Sequence, residues 1–421
     1  MTNHNSRVEE NRALAEQRAV ELREKIKPYL EARENIPTGM QLATEYAKQK
    51  KKILKLLGGT EEDWRNWRWQ LKNRFTDVDR LSKILNLSDQ EKSEIEQVGK
   101  RFRWAVSPYY VSLMDPDDPG CPVRRQAIPS IRELQDVMGE DDPMGEEFTS
   151  PVPAITRRYP DRLIIKVTNQ CASYCRHCQR RRNIGEVDKG TPKEQLEQAL
   201  AYVKNHPEIR DVLLTGGDAF ILNEERLDWL LGELDKIEHV EIKRLGTRTL
   251  VTMPQRVTPA LCGILEKYHP VFVNTHFNNP KEVTADVAEA CDRLTKAGVP
   301  IGNQTVLLKG INNDPHVMKK LNHELLKVRI RPYYIFHAKP VTGTAHFITR
   351  VEEGIAIMES LRGQTSGLAI PTYIINAPHG YGKTPMLPEY LISSGKDYVT
   401  IRTWEGRVMK YPNRDTTGDN S

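Results

Sequence analysis

The sequence predicts an α/β fold: a parallel sheet with helices outside it, a mostly helical region ahead of it and a short β extension behind. Three observations lead there. Beyond Arg157, apolar runs of strand length alternate with stretches of helical period, the pattern of repeated βα units. Ahead of it the chain is rich in Ala, Glu, Lys, Arg and Leu and carries helix start and stop signals. Near the end, two short runs flank Glu405-Gly406, which reads as a hairpin turn.

A chain of 421 residues has room for one large catalytic domain and an accessory region. Its 62 basic and 57 acidic side chains leave a net charge of +5, which calls for no nucleic-acid partner. Six cysteines, three of them clustered, do not make a disulfide framework, and Cys121, Cys262 and Cys291 read as plain thiols. That usage fits a reducing cytoplasm. No apolar run approaches the ~18 residues of a membrane span. The first residues also lack the apolar core of a signal peptide, so no membrane partner is expected.

Residues 1–10 are polar and read as a disordered tail. From Asn11 to Leu57 at least two helices are expected, broken at Pro37-Thr-Gly39. Lys50, Lys51 and Lys52 fit a solvated helix face better than a phosphate site. Gly58-Gly59-Thr60 reads as a helix stop followed by a Thr N-cap. The next helix carries Trp64, Trp67 and Leu71 on one face, a core stripe rather than a base-stacking surface. Pro- and Gly-punctuated links at Asp115–Gly120, Asp141–Gly145 and Pro151–Pro153 lead to the sheet.

Strands are expected at 163–168, 211–215, 240–245, 271–275, 302–308 and 329–336. Helices are expected near 192–205, 223–237, 259–268, 282–297, 314–327 and 351–362. Six such units curl into a barrel or an open arc, with active residues at the C-terminal ends of the strands. A further strand, 370–375, leads into Asn376-Ala-Pro-His-Gly-Tyr-Gly-Lys383. The hairpin uses 397–403 and 407–411, and the tail from Asn413 is polar and frayed.

Directly after the first strand comes Cys171-Ala-Ser-Tyr-Cys175-Arg-His-Cys178. Thiolates this close can wrap a loop around one metal centre, and three of them leave one iron of a four-iron cluster without a protein ligand. A small molecule can chelate an open iron, which suits chemistry better than electron storage. A zinc loop or a partial redox motif is the alternative, at spacings those sites do not favour. The second strand ends in Gly216-Gly217-Asp218, where paired glycines admit a ligand close to the backbone. Alone, that motif is equally a tight turn.

Together the cysteine loop and the glycine pair one βα unit later resemble the radical S-adenosylmethionine (SAM) enzymes. The resemblance implies a 4Fe–4S cluster on Cys171, Cys175 and Cys178, with Gly216, Gly217 and Asp218 holding the SAM amino group. It also implies the chemistry: reductive cleavage of SAM to a 5′-deoxyadenosyl radical that removes a substrate hydrogen.

Further segments narrow the likeness. They are Trp67-Arg-Trp69, Asp115–Pro119, Arg157–Arg162, Cys178–Arg182, Asn274-Thr-His276, Gly302-Asn-Gln304, Arg331–Tyr334 and Leu361–Gly367. They resemble the lysine 2,3-aminomutases, from about Trp64 to Tyr411, a family that uses pyridoxal 5′-phosphate (PLP) besides the cluster and SAM. The resemblance implies a partial (β/α)6 radical SAM barrel over 157–365, after a helical region at 11–156. Residues 366–421 would then hold the PLP lysine segment and the hairpin. It makes Lys383 the PLP lysine, although His379 and Tyr381 interrupt what is a glycine run in the lysine enzymes. Arg158, Tyr159 and Arg162 would contact PLP, and His276 and Gln304 would contact SAM. An external low-potential electron donor and a homo-oligomer are implied as well. Extra cysteines that hold zinc in some members are missing here, so no structural zinc is expected.

Arg180 matches the arginine that grips the α-carboxylate of the amino-acid substrate. Where the lysine enzymes place two aspartates around the substrate's terminal ammonium, this chain has Lys339 and Asn376. One charge pair at ~4 Å and an effective dielectric of ~20 is worth about 4 kcal/mol, so the change from attraction to repulsion is large. The substitution argues for glutamate as substrate, with aspartate second, and for its interconversion with β-glutamate by 1,2-amino migration. The nearer alternative is a lysine 2,3-aminomutase acting on free or protein-bound lysine. A radical SAM enzyme that modifies RNA is a more distant one, resting on Arg180–Arg182 and Lys50–Lys52. A non-catalytic iron–sulfur protein would leave Lys383 unexplained.

Overall fold

The computed structural model describes residues 2–413, with side chains from Arg7 onward. The expected frayed tail lies, beyond Asn413, outside the described residues. A first unit ends at Pro37 and consists of a helix, Thr2–Ala32, and a short 3-10 turn. The helix takes in the polar stretch expected as a tail. Once the Ala/Glu/Arg run that follows is helical, each earlier residue joins by propagation and needs no new nucleus.

From Thr38 onward the chain is one unit built on a nine-stranded sheet. In chain order its strands are β1 (Ile155–Thr156), β2 (Arg162–Thr168), β3 (Asp211–Gly216), β4 (Ile242–Gly246) and β5 (Val271–Thr275). They continue with β6 (Ile301–Leu307), β7 (Ile330–His337), β8 (Thr372–Ala377) and β9 (Gly382–Pro385). Neighbours in space are neighbours in sequence, and the two ends of the sheet do not pair. The sheet is therefore an open partial barrel. Strands β2 to β8 run parallel, as right-handed crossovers require, while β1 and β9 pair antiparallel at the edges. The crossover helices are Lys193–Lys204, Glu224–Asp235, Pro259–Lys267, Ala285–Lys296, Pro315–Lys327 and Val351–Leu361. A separate antiparallel sheet closes the chain: β10 (Leu391–Ser394), β11 (Tyr398–Arg402) and β12 (Val408–Pro412).

Between Ala43 and Arg125 helices alternate with turns, residues 126–150 are irregular apart from a 3-10 turn at Ile131–Glu133, and apolar side chains of this region join the core under the sheet. Ile53, Trp64, Tyr109 and Val111 are buried in the same cluster as Val251, Leu261 and Val273. Gly58 adopts φ +63° and ends the helix Ala43–Leu57. Thr60 then caps the next one, in a reciprocal box with Asp63. The tryptophan stripe is buried but divided between two short helices, Glu61–Arg65 and Trp67–Lys72, because Asn66 is extended and caps the second.

Candidate active site

One cavity gathers most of the chemistry-bearing residues. Its wall includes Cys171, Cys175 and Cys178 from the loop after β2, and Gly216 to Asp218 from the end of β3. His276 follows β5, Gln304 lies on β6, Lys339 follows β7, and Asn376 and Lys383 lie on β8 and β9. Arg158, Tyr159, Arg162 and Arg180 complete it, so every site residue expected from the sequence meets the same space.

The cysteine loop is held by the helical region. Arg74 Nη1 donates to Cys171 O at 2.7 Å, and the Tyr174 amide donates to Ala105 O at 2.9 Å. Arg176 is buried and pairs with Glu133 at 2.5 Å. Asp188 accepts from Arg103 (2.7 Å), Gln170 (3.0 Å), Arg74 and the Tyr174 hydroxyl. These contacts make the links between the N-terminal helices a frame for the loop.

The glycines at the end of β3 are sterically required. A Cβ on Gly216, whose φ is +125°, would lie 2.6 Å from Thr168 O. One on Gly217 would lie 2.3 Å from Gln170 O. Their backbone is thus pressed against the root of the cysteine loop, and the Asp218 amide donates to Gln170 O at 2.9 Å. Asp218 commits its own oxygens to the protein, accepting from the amides of Phe220 (2.9 Å) and Arg248 (2.7 Å). His276 Nδ1 lies 3.0 Å from Gln304 O. Burial, then the Arg248 charge, pushes this imidazole down to about 4, so it is neutral.

At the other end of the cavity, β9 folds back on β8 so that Lys383 stands opposite Asn376. The sequence suggests a glycine loop here. Gly382-Lys-Thr-Pro385 has no strand pattern of its own, and pairing with β8 makes it one. The Lys383 amide donates to Tyr159 Oη at 2.9 Å. Its amine lies 5.1 Å from the Tyr159 ring centre and 5.9 Å from those of Tyr334 and Phe336. Burial and the charges of Arg162, Arg244 and Arg158 push it down to about 8, which favours a nucleophilic free amine.

Two contributors are invisible in the motif spacing. Glu146, buried in the Gly-punctuated link before β1, pairs with Arg180 at 3.0 Å and Arg158 at 3.2 Å. Burial pushes its carboxyl up, but Arg180 and Arg158 prevail and hold it below the usual range. The other is Arg248, just past β4, whose Nη1 donates to Cys175 Sγ at 2.9 Å. Its position at a strand end is the one signal that marks it.

Known proteins match this chain over most of its length. A family model described as the radical SAM superfamily matches 165–321, and one described as lysine-2,3-aminomutase matches 358–421. The glutamate 2,3-aminomutase of Clostridioides difficile (strain 630) is 59% identical, covering 94% of this chain and 93% of its own. The chain belongs to the lysine 2,3-aminomutase family. The L-lysine 2,3-aminomutase of Clostridium subterminale is 48% identical over 84% of this chain and 85% of its own. That of Bacillus subtilis (strain 168) is 47% identical over 84% and 75%.

Lysine 2,3-aminomutases use a 4Fe–4S cluster, SAM and PLP, and the residues present fit all three. Cys171, Cys175 and Cys178 are free thiols on one wall. Burial and their mutual charges push Cys171 and Cys178 up, a cost that iron cations would reverse. Two sulfurs already receive donors, Cys175 from Arg248 and Cys178 from the Arg180 amide at 3.4 Å. Gly216 and Gly217 line the same cavity beside the cysteine loop, where SAM would sit. For PLP there is the Lys383 amine and, on Arg158, a buried Nε with no hydrogen-bond partner, a donor suited to phosphate.

Proposed function

We propose that this chain is an amino-acid 2,3-aminomutase that interconverts L-glutamate and β-glutamate (3-aminoglutarate). The observation that carries the reading is the Lys339 amine. It lines the cavity, has no ion pair among the described residues, and lies 5.2 Å from the Phe336 ring centre. Burial, then the charges of Arg180, Lys383 and Arg158, pushes it down to about 7 against the pull of Glu146. A ligand carboxylate is the missing counter-charge. Asn376 has a buried Nδ2 without a partner, which supports a second hydrogen bond to that carboxylate. A lysine substrate would add another cation here, which weighs against the lysine-type reading. The glutamate-specific name of the Clostridioides difficile relative supports the same substrate.

When bound, the cluster with SAM supplies hydrogen abstraction and PLP supplies the carbon–nitrogen chemistry of the migration. The protein's part is position. Arg180 grips the α-carboxylate, while Lys339 and Asn376 grip the side-chain carboxylate. Held at both ends, glutamate keeps C2 and C3 fixed between them, which removes most of the orientational entropy of the reaction. Lys383 holds PLP, with Arg158, Tyr159 and Arg162 on its polar groups. Among the described residues no helix is long and apolar enough to cross a membrane. A homo-oligomer served by an external low-potential electron donor belongs to the same proposal, and the six free cysteines support a reducing, cytoplasmic setting for it.

The deciding experiment incubates reconstituted, reduced enzyme anaerobically with SAM, PLP and equimolar glutamate, aspartate and lysine. β-Glutamate as the main product is expected, and β-lysine as the main product would overturn the substrate.

A pH dependence follows from Lys339. The free site loses its proton above pH about 7, and glutamate binding restores it. KM for glutamate should therefore rise as pH climbs past that point, by up to about tenfold per unit. Lys339→Arg, which stays protonated, should flatten the profile.

A further inference from the structure

We propose that Arg248 sets the reduction potential of the 4Fe–4S cluster through a charged hydrogen bond to Cys175. The inference rests on the three-thiol cluster site described above. Arg248 is 8% exposed, and its Nη1 lies 2.9 Å from Cys175 Sγ. The rest of the guanidinium is locked: Nε donates to His276 O at 3.2 Å. Nη2 donates to Gln126 Oε1 (2.5 Å), Glu282 Oε1 (2.9 Å) and the Tyr110 hydroxyl (3.0 Å). The backbone amide is held by Asp218. No rotation can carry Nη1 off the sulfur without breaking these bonds.

A guanidinium keeps its proton at any working pH, so the charge on Cys175 is permanent. Reducing the cluster from [4Fe–4S]2+ to [4Fe–4S]+ adds one electron. A fixed cation and an N–H···S bond stabilise the more negative state and raise the potential. Glu282 works against it. That carboxylate is fully buried, accepts from Nη2 of the same guanidinium, and is fixed by the amides of Asn278 (2.6 Å) and Asn279 (3.0 Å). Arg248 and Glu282 form an oriented dipole with its positive end on the cluster. Neutralising either end should move the potential in opposite directions, which packing alone would not do.

The test uses full-length wild type, Arg248→Gln, Arg248→Lys and Glu282→Gln, each reconstituted anaerobically and titrated with dithionite and mediators. The reduced cluster is read by electron paramagnetic resonance. Arg248→Gln should shift the midpoint to more negative values, Arg248→Lys should restore much of the difference, and Glu282→Gln should shift it to more positive values. An unchanged midpoint in Arg248→Gln with full iron content overturns the proposal, as does a negative shift in Glu282→Gln. If Arg248→Gln fails to hold iron, the Glu282→Gln shift decides alone, and no positive shift is the overturning result. A wild type with no cluster signal is a different failure, because it removes the cluster site itself.

Discussion

Replacing Lys339 by Met is expected to lower kcat/KM for glutamate by about 30- to 1,000-fold, the ~2–4 kcal/mol typical of removing one partner of a buried charged contact. The Lys339 amine lines the same cavity as Arg180 and Lys383, and the one carboxylate on that wall, Asp218, has both oxygens on backbone amides. Of the cations on that wall, Arg158, Arg162, Arg180, Arg244 and Arg248 already pair with carboxylates, which leaves the Lys339 and Lys383 amines without an ion pair among the described residues. The converse double variant, Lys339→Asp with Asn376→Asp, should raise the lysine-to-glutamate ratio of kcat/KM by at least about tenfold, since even ~2 kcal/mol of the reversed electrostatics suffices. Competition kinetics on both amino acids would check it. A ratio that does not move would remove the charge argument while leaving the aminomutase intact.

Lys383→Ala is expected to abolish turnover and PLP retention together, with the cofactor lost on gel filtration and its bound absorbance gone. Stability should move the other way. In the apoprotein the Lys383 amine is disfavoured as a cation by burial and by Arg162, Arg244 and Arg158, which lowers its pKa from 10.5 to about 8. The native state thus carries a penalty that is full below pH 8 and gone by about 10.5. Wild-type apoprotein should gain stability as pH rises through that window. Lys383→Ala should lack that gain and melt at or above the wild-type temperature at pH 7. A variant that melts well below wild type would mean that Lys383 holds the β8–β9 hairpin together, and its loss of PLP would then say little about the amine.

The parallel strands were legible because each is a short apolar run at a βα spacing, and the observed ends lie close to the expected ones, as for β5 at Val271–Thr275. The cap at Thr60 was legible for the same kind of reason, being local chemistry. What escaped was long-range. β9 is a strand only because β8 lies beside it. Glu146 stands in a link that looks like mere punctuation, and its partner Arg180 is 34 residues away. Arg248 reaches Tyr110 across 138 residues and Cys175 across 73. A motif records residues that act at one fixed spacing; charges that meet only after the sheet has curled leave no such record. The expected polar tail at 1–10 failed differently, because composition describes solvation and says little about helix propagation from a neighbour.

The order of the sheet carries a consequence for how such an enzyme diversifies. The cluster ligands hang from β2, near one edge, whereas Lys339 follows β7 and Asn376 lies on β8, near the other. The curl lets both edges face one cavity while the strands that bear them never pair. On the proposed roles, the side-chain end of the substrate would be read at the late strands, apart from the cysteine loop. Substitutions at Lys339 or Asn376, which would separate glutamate from lysine enzymes on this proposal, leave untouched the bonds that Arg74, Ala105 and Arg248 make to the cysteine loop.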